Sequence, residues 1–238
     1  VPILVRGDED GKFDAGDGIE FYGIGLDTAS TDTRVYWLVA GEEDGKRVLA
    51  IADVNSAIEN FEKSNTYTVE TKPRTVYLSA LNNGEADNFF GPLVGNLPVA
   101  LSVQAPSVDS DGEESALLEV GLQGLTKIHN HAVRVLLNGA MVGTVSFKRQ
   151  SQIVGRIAVP HSLLQSGENI VQLVTTGDPS DKSFVDFIRL TYRRLYTATS
   201  GEYRFVASGG EAVKVTGLGD AAARLVEITD PWDPQLLL

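Results

Sequence analysis

Apolar and polar residues alternate along most of this chain, and turn residues separate the alternating stretches. An alternation of period two places successive side chains on opposite faces of a β-strand. The series is clearest after residue 97, where it predicts strands at 99–103, 116–122, 133–137, 141–147, 153–159, 170–174 and 184–192. Asn138-Gly139 between two apolar runs predicts a tight hairpin, and residues 160–164 predict a single helical turn.

Weaker stretches flank this block on both sides. We predict a strand at 34–39 that returns at 47–51 after a turn at 42–46, and further strands at 67–70, 203–207, 212–215 and 225–228. The whole pattern predicts an all-β chain, with a β-sandwich of jelly-roll type flanked by additional antiparallel β segments. We expect three segments: an N-terminal β segment at 1–96, the sandwich at 97–196, and C-terminal strands with a linker at 197–238.

An acidic, glycine-rich loop at 7–17 is the most informative polar stretch. A calcium loop of the EF-hand type takes ligands at positions 1, 3, 5, 7, 9 and 12, with a glycine at position 6. With Gly11 at the glycine position, five residues fall at ligand positions: Asp8, Asp10, Lys12 through its carbonyl, Asp14 and Asp17. Position 1 falls on Arg6, which cannot be a ligand, so the match is incomplete.

The residues on either side of this loop favour strands over helices. Residues 1–5 are mainly apolar and residues 19–22 are rich in strand formers, so we place the loop between two strands. Two interpretations stay open. The loop binds a structural calcium ion, or it is a polar hairpin whose aspartates form turns and face solvent.

Composition and charge exclude several classes of function. The chain has 238 residues, a net charge of −12 and no cysteine. The acidic charge argues against binding to nucleic acid or to an anionic membrane, and no apolar run approaches the ~20 residues of a membrane-spanning helix. Without cysteine, the chain can hold no disulfide, thiolate metal site or cysteine nucleophile. Because it begins without methionine, we expect a piece of a longer protein.

Several phrases, taken in order, resemble the region ahead of the catalytic domain in gingipain-like cysteine peptidases, which are secreted bacterial enzymes. The phrases are DGKFD (10–14), IEFYG (19–23), DTRVYWL (32–38), VLLNG (135–139), SGEN (166–169), VDFI (185–188), YRR (192–194), VEITDP (226–231) and DP (233–234). Each phrase is weak alone, but their order is kept over nearly the whole chain.

The resemblance implies a non-catalytic accessory region of a secreted or cell-surface bacterial protein. In that family the catalytic histidine and cysteine lie downstream of the last phrase, so no catalytic residue is carried over to this chain. The implied partner is a downstream peptidase domain of the same polypeptide, which this segment would support, orient or restrain, and a protein or glycan at the cell surface is a further possible partner. The alternative is a carbohydrate-binding module of β-sandwich type.

The three histidines give no recognisable catalytic setting, and there is no G-x-S-x-G motif. His129 and His131 would share one face of a strand and contribute to a metal site, but no carboxylate lies near them in sequence, and a turn or strand edge is the simpler interpretation. His161 follows Pro160 at the start of the helical turn, where we expect a surface residue or a local hydrogen-bond donor.

Aromatic and basic residues offer two further candidate surfaces. Six aromatic residues are candidates for a sugar-stacking platform: Tyr22, Tyr36, Trp37, Phe89, Phe90 and Trp232. Packing in the core or between domains is the competing interpretation, and adjacent strand residues point to opposite faces, so we expect Tyr36 or Trp37 in the core. The basic stretch 192–196 is interpreted as a strand end that pairs with carboxylates of a neighbouring domain.

Overall fold

The structure is a computed structural model that describes residues 1–8, 10–52, 61–82, 86–112, 114–128, 130–199, 201–207, 212–219 and 223–238. Its strands are β1 (Ile3–Arg6), β2 (Gly18–Phe21), β3 (Leu49–Ile51), β4 (Ser64–Thr71), β5 (Val76–Tyr77), β6 (Phe89–Phe90), β7 (Leu93–Val94), β8 (Val99–Ala105), β9 (Ala116–Gly124), β10 (Asn130–Leu137), β11 (Ala140–Lys148), β12 (Gln152–Val159), β13 (Gly167–Thr175), β14 (Ser183–Leu195), β15 (Leu225–Glu227) and β16 (Gln235–Leu237). A 3-10 turn spans His161–Leu163. The prediction of an all-β chain is therefore confirmed. No helix within the described ranges has the length and apolar character to cross a membrane.

Contacts within the chain divide it into two units. The first unit is Val1–Glu59 with Asp220–Leu238, and the second unit is Asn60–Gly219. The division into segments at 1–96, 97–196 and 197–238 stays a prediction. Each unit is described separately below.

The second unit is a β-sandwich with jelly-roll strand order. One sheet has the order β11-β10-β13-β8, and the other has the order β12-β9-β14-β4, with β7 also paired to β14. The eight long strands pair from the outside of the sequence inward, β4 with β14, β8 with β13, β9 with β12 and β10 with β11, and every one of these pairs is antiparallel. This nested pairing is the jelly-roll arrangement that the alternating pattern predicts.

Alternation along each strand fills the space between the two sheets. On β10, Val133, Val135 and Leu137 are buried while Arg134 faces solvent. Leu118, Val120 and Leu122 of β9 lie in the same core, which also includes residues of β8, β13 and β14. Burying one such side chain stabilises the fold by about 1.5–3 kcal/mol, so the sandwich has a substantial core of its own.

The hairpin between β10 and β11 turns at Asn138 and Gly139, the two residues that predict it in the sequence. Asn138 and Gly139 both adopt positive φ, 50° and 85°, as a two-residue turn with the twist of the flanking strands requires. The Asn138 side chain also accepts a hydrogen bond from the Ile170 N–H at 2.8 Å, which ties the turn to β13. The hairpin prediction at Asn138-Gly139 is confirmed, as is the helical turn after Pro160.

The first unit is built from short strands. β1 and β2 form an antiparallel hairpin in which Arg6 lies opposite Gly18. β15 pairs antiparallel with β16, and β16 pairs with β3 in parallel. The predicted strand at 34–39 is wrong, because these residues have no strand assignment, and β3 pairs with β16 instead of with them. Residues 203–207 likewise form no strand.

Candidate functional site

The acidic loop lies where the sequence places it, between β1 and β2. Its backbone folds in two turns, with the Gly11 N–H donating to the Asp8 carbonyl at 2.9 Å and the Asp17 N–H to the Asp14 carbonyl at 3.2 Å. Asp10 Oδ1 accepts from the Lys12 N–H at 2.9 Å. The carboxylates therefore act first as turn acceptors, as aspartates commonly do in turns.

Glycine is required at the start of this loop. Gly7 has a φ of 86°, and a side chain built there would collide with the Asp17 carboxylate. Asp17 Oδ2 in turn accepts from the Asp14 N–H at 2.7 Å, so Gly7 lets the chain pass beneath a carboxylate that closes the loop.

The predicted calcium ligands share one loop but do not form a compact cluster. Within the described part of the chain, no three His, Cys, Asp or Glu side chains lie together as a metal site. Asp10 and Asp17 each use an oxygen on a backbone N–H. Metal binding by Asp8, Asp10, Lys12, Asp14 and Asp17 stays a prediction.

Histidine 131 belongs to a buried pair that the sequence does not reveal. His131 and Asp181 are 1% and 0% exposed, and His131 Nδ1 contacts Asp181 Oδ1. His131 Nε2 donates to the Arg149 carbonyl at 2.7 Å. Both ring nitrogens thus lie against oxygen atoms of the protein. Because neither side chain reaches solvent, the pair joins the ends of strands and forms no open site. His129 lies outside the described residues.

His161 is buried, so the expectation of a surface residue is wrong. Its side chain is inside the sandwich, and Nε2 accepts from the Arg193 N–H at 3.0 Å. The neutral ring with its proton on Nδ1 fits this contact, since a protonated Nε2 has no lone pair to offer. His161 therefore holds the turn after β12 against β14.

The basic residues of the stretch 192–196 bind to residues of their own unit, the second unit. Arg193 donates to the Ser64 carbonyl and, at 3.3 Å, to Ser64 Oγ. Arg194 is buried with its guanidinium between the rings of Tyr67 and Tyr203, 4.4 Å and 4.2 Å from their centroids. Stacking on aromatic faces is a favourable environment for arginine. These contacts leave the stretch bound to its own sandwich.

An alternating ladder of charges crosses the second sheet of the sandwich. Arg156 donates to Glu119 at 2.9 Å, and Arg189 donates both to Glu119 at 3.2 Å and to Glu70. The hydrogen bond from Arg156, with further help from Arg189, lowers the pKa of Glu119. The ladder spans β12, β9, β14 and β4 in register.

The six aromatic candidates do not form one platform. Phe90 is buried and stacks on Phe184, and Phe89 packs against Tyr77. Tyr36 is anchored, because its hydroxyl contacts both the N–H and the carbonyl of Ile24 at 2.6 and 2.9 Å. Trp37 is 86% exposed. Tyr36 is half-buried, so neither member of that pair lies in a core.

The first unit presents an apolar surface that the sequence led us to expect in a strand. Residues 35–39 have no strand assignment and expose Val35, Trp37, Leu38 and Val39. Residues 34–44 make no backbone–backbone hydrogen bond with any other residue that the structure describes. We call residues 35–39 the apolar segment. Tyr36 connects it to the body of the unit, with its ring centroid 5.1 Å from that of Phe21.

Charge is distributed as unevenly as apolar exposure. Val1–Glu59 and Asp220–Leu238 hold 17 acidic and 6 basic residues, whereas Asn60–Gly219 hold 15 and 14. The first unit therefore carries a net −11 of the chain's −12. Composition averaged over the whole chain conceals this asymmetry.

Comparisons with known proteins give no family. No protein-family model and no curated protein matches the chain. Dimeric latent PorU from Porphyromonas gingivalis is similar in structure over 64% of this chain, with 9% identity and a TM-score of 0.47, and the chain spans 15% of its length. The CBM36-1 domain of a multidomain xylanase from the hindgut metagenome of Trinervitermes trinervoides is similar over 53% of this chain and 96% of that domain, with 17% identity and a TM-score of 0.34.

A carbohydrate-binding module CBM36 in complex with calcium and xylotriose is similar over 56% of this chain and 94% of that module, with 20% identity and a TM-score of 0.33. These structural similarities are too weak to indicate a function. The jelly-roll assignment rests on the strand order of the second unit.

Proposed function

We propose that this chain is a non-catalytic accessory β segment of a larger secreted bacterial polypeptide, and that its first unit docks onto a neighbouring protein domain. The resemblance of its sequence phrases to gingipain-like peptidases suggests that this neighbour is a peptidase domain. Supporting or orienting that domain would be its function.

One observation carries the proposal: the first unit exposes large apolar side chains and buries none of them. Among the described residues, 13 of the 20 exposed large hydrophobic side chains belong to the first unit, and every buried hydrophobic side chain of the core belongs to the second. A small unit without a core of its own gains little stability from burial. Exposed apolar surface of this kind marks a site of contact with another protein.

Limited proteolysis tests this function. The chain alone and the full-length parent protein would be digested with chymotrypsin, whose preferred aromatic sites include Tyr36 and Trp37. We expect rapid cleavage at 36–38 in the chain alone and protection in the parent, whereas strand β13 resists cleavage in both. Equal cleavage at 36–38 in the two proteins would contradict docking through this segment.

Structural calcium in the acidic loop is a separate proposal. It rests on four aspartates and the Lys12 carbonyl of one hairpin, and a cation would relieve the repulsion among those carboxylates. Binding to the folded state stabilises it by linkage, about 2.7 kcal/mol at a hundredfold excess over Kd. Titration calorimetry with calcium on the wild type and on Asp10→Asn/Asp14→Asn tests it. Heat of binding in the wild type alone supports the site, and no heat in either protein overturns it.

A carbohydrate-binding function is the second candidate. A groove of about 490 Å³ on the sandwich is lined partly by hydroxyl side chains, among them Ser107, Ser166, Thr197 and Thr199. Hydroxyls are suitable partners for a neutral sugar. Retardation of the chain in native gels containing xylan or another polysaccharide would favour this function, especially if Thr199→Val abolished it. The docking proposal predicts unretarded migration.

A further inference from the structure

An apolar pocket lies within the first unit. It has a volume of about 160 Å³, and its apolar walls include Leu4, Phe21, Val48, Val226 and Leu236. Apolar cavities of about 150 Å³ accept a molecule the size of benzene. The pocket therefore has room for one aromatic or large aliphatic side chain.

Ionic groups at the same pocket are already paired with each other. Glu20 and Arg224 both line it and form an ion pair, and Arg6 also binds Glu20. Elsewhere in the unit Lys46 binds Asp233 at 2.8 Å. Three of the six cations of the unit are thus engaged in ion pairs, and the unit as a whole carries 17 acidic and 6 basic residues.

The net charge of −11 decides which occupant fits. Like charge opposes a second copy of this unit, and it opposes an acidic segment as well. A basic segment is attracted at long range and gains further from an apolar side chain that fills the pocket. The apolar segment extends this surface, because Tyr36 packs on Phe21, a wall residue of the pocket.

We propose that the pocket receives one aromatic or large aliphatic side chain from a lysine- or arginine-rich segment of a partner protein. This inference rests on the proposed docking function and adds the chemistry of the partner. It predicts a contact with an electrostatic component, which salt weakens, and an apolar component, which salt leaves largely intact.

Three fluorescein-labelled peptides separate these components when their binding to the whole chain is followed by fluorescence anisotropy. They are KKFKK, KKGKK and EEFEE. We expect KKFKK to bind about tenfold more tightly than KKGKK, because burial of the phenyl side chain adds favourable binding free energy. We expect EEFEE not to bind. Equal affinities for KKFKK and KKGKK would overturn the pocket and show a merely polyanionic surface.

A pocket-filling variant and a competitor locate the apolar component. Val48→Phe is expected to lower the affinity for KKFKK to that for KKGKK, whereas Leu97→Phe, an exposed site on the sandwich, leaves both unchanged. If Val48→Phe does not fold, excess N-acetyl-phenylalaninamide added to the wild type should have the same effect. An unchanged preference for KKFKK under the competitor would contradict the proposal.

The peptide-binding experiments and the chymotrypsin digestion can fail independently of each other. Suppose that KKFKK and KKGKK bind equally well, while residues 36–38 are protected from chymotrypsin in the parent protein. The proposed basic segment with its apolar side chain would then be wrong, and the docking function would stand. Unprotected residues 36–38 in the parent would remove the docking function itself. Concentration-dependent dimers of the chain in sedimentation velocity would show that a second copy, contrary to the charge argument, covers this face.

Discussion

The two units of this chain differ in where they place their large apolar side chains. The sandwich buries its alternating apolar residues between two sheets and also holds a buried polar pair, His131 with Asp181. The first unit has three- and four-residue strands, exposed apolar side chains and nearly all of the net charge. The same chain thus contains a sandwich with a buried core and a unit whose large apolar side chains are exposed.

The exposed apolar surface of the first unit is where we expect a functional contact. A surface that costs stability persists where a contact with another molecule compensates for it. In the proposed function, the sandwich provides a stable fold and the first unit provides the contact. Substitutions in the two units should therefore have separate consequences for folding.

Breaking the buried pair should have the largest effect. Asp181→Ala leaves His131 buried without its carboxylate and removes the acceptor of the Ala132 N–H. We expect a loss of about 3–5 kcal/mol in the free energy of unfolding, measured by urea denaturation. Asp233→Ala, which removes an exposed ion pair of the first unit, is the control and should change it by less than about 0.5 kcal/mol. Similar losses in both variants would deny the distinction between the units.

Truncating one leucine in each unit should change the free energy of unfolding by very different amounts. Leu118→Ala opens a cavity in the core of the sandwich and should cost about 2–5 kcal/mol. Leu38→Ala removes an exposed side chain of the apolar segment and should cost almost nothing in the isolated chain. A large loss for Leu38→Ala, again by urea denaturation, would show that this residue is covered within the chain.

Acid should weaken the sandwich through its charge ladder. The pKa of Glu119 is lowered in the folded state, chiefly by Arg156. The ionised carboxylate therefore stabilises the fold fully above its unfolded pKa of about 4.3, and this stabilisation disappears as the pH falls through the folded pKa. Glu119→Gln should lose about 1 kcal/mol in the free energy of unfolding at neutral pH and converge on the wild type as the pH falls below the unfolded pKa of the carboxyl group.

The matched variant for this pH series is Glu227→Gln in the first unit. The side chain of Thr229, with help from its N–H, lowers the pKa of Glu227, but we expect no change in the main unfolding transition at any pH. A pH-independent difference between Glu119→Gln and wild type would contradict the role of the ladder.

The smallest effect concerns two glycines with positive φ, one in each unit. Gly139 and Gly11 have φ of 85° and 76°, and a Cβ at either would meet no atom within 4 Å. Alanine at either position costs about 1 kcal/mol of backbone strain. Thermal melting should register this loss for Gly139→Ala in the sandwich and not for Gly11→Ala. Equal shifts in Tm would mean that the units unfold together.

The sandwich was predictable because its sequence signals are local and agree with one another. Asn138-Gly139 sets a turn, and Val133, Val135 and Leu137 set the inward face of a strand by alternation alone. The acidic loop between two strands was predictable for the same reason. Whether its aspartates hold calcium depends on side-chain positions that spacing does not determine.

Two features were beyond sequence reasoning. His131 and Asp181 lie 50 residues apart, and only the pairing of β10 with β13 and the turn before β14 brings them together. Residues 34–39 have strong strand propensity, yet they form no strand here. Propensity describes a side chain that fits a half-buried sheet, and pairing requires a partner that the described chain does not supply at this segment.

Hydrogen–deuterium exchange of the isolated chain, followed by mass spectrometry, measures the local stability of the two units separately. Strands of the sandwich core, β9, β10, β13 and β14, should exchange only by global unfolding, whereas residues 1–52 and 223–238 should exchange through local opening at much lower free energy. Addition of KKFKK should slow exchange in the first unit alone. Equal protection of the two units in the absence of any partner would contradict the account, since the first unit would then be as self-sufficient as the sandwich.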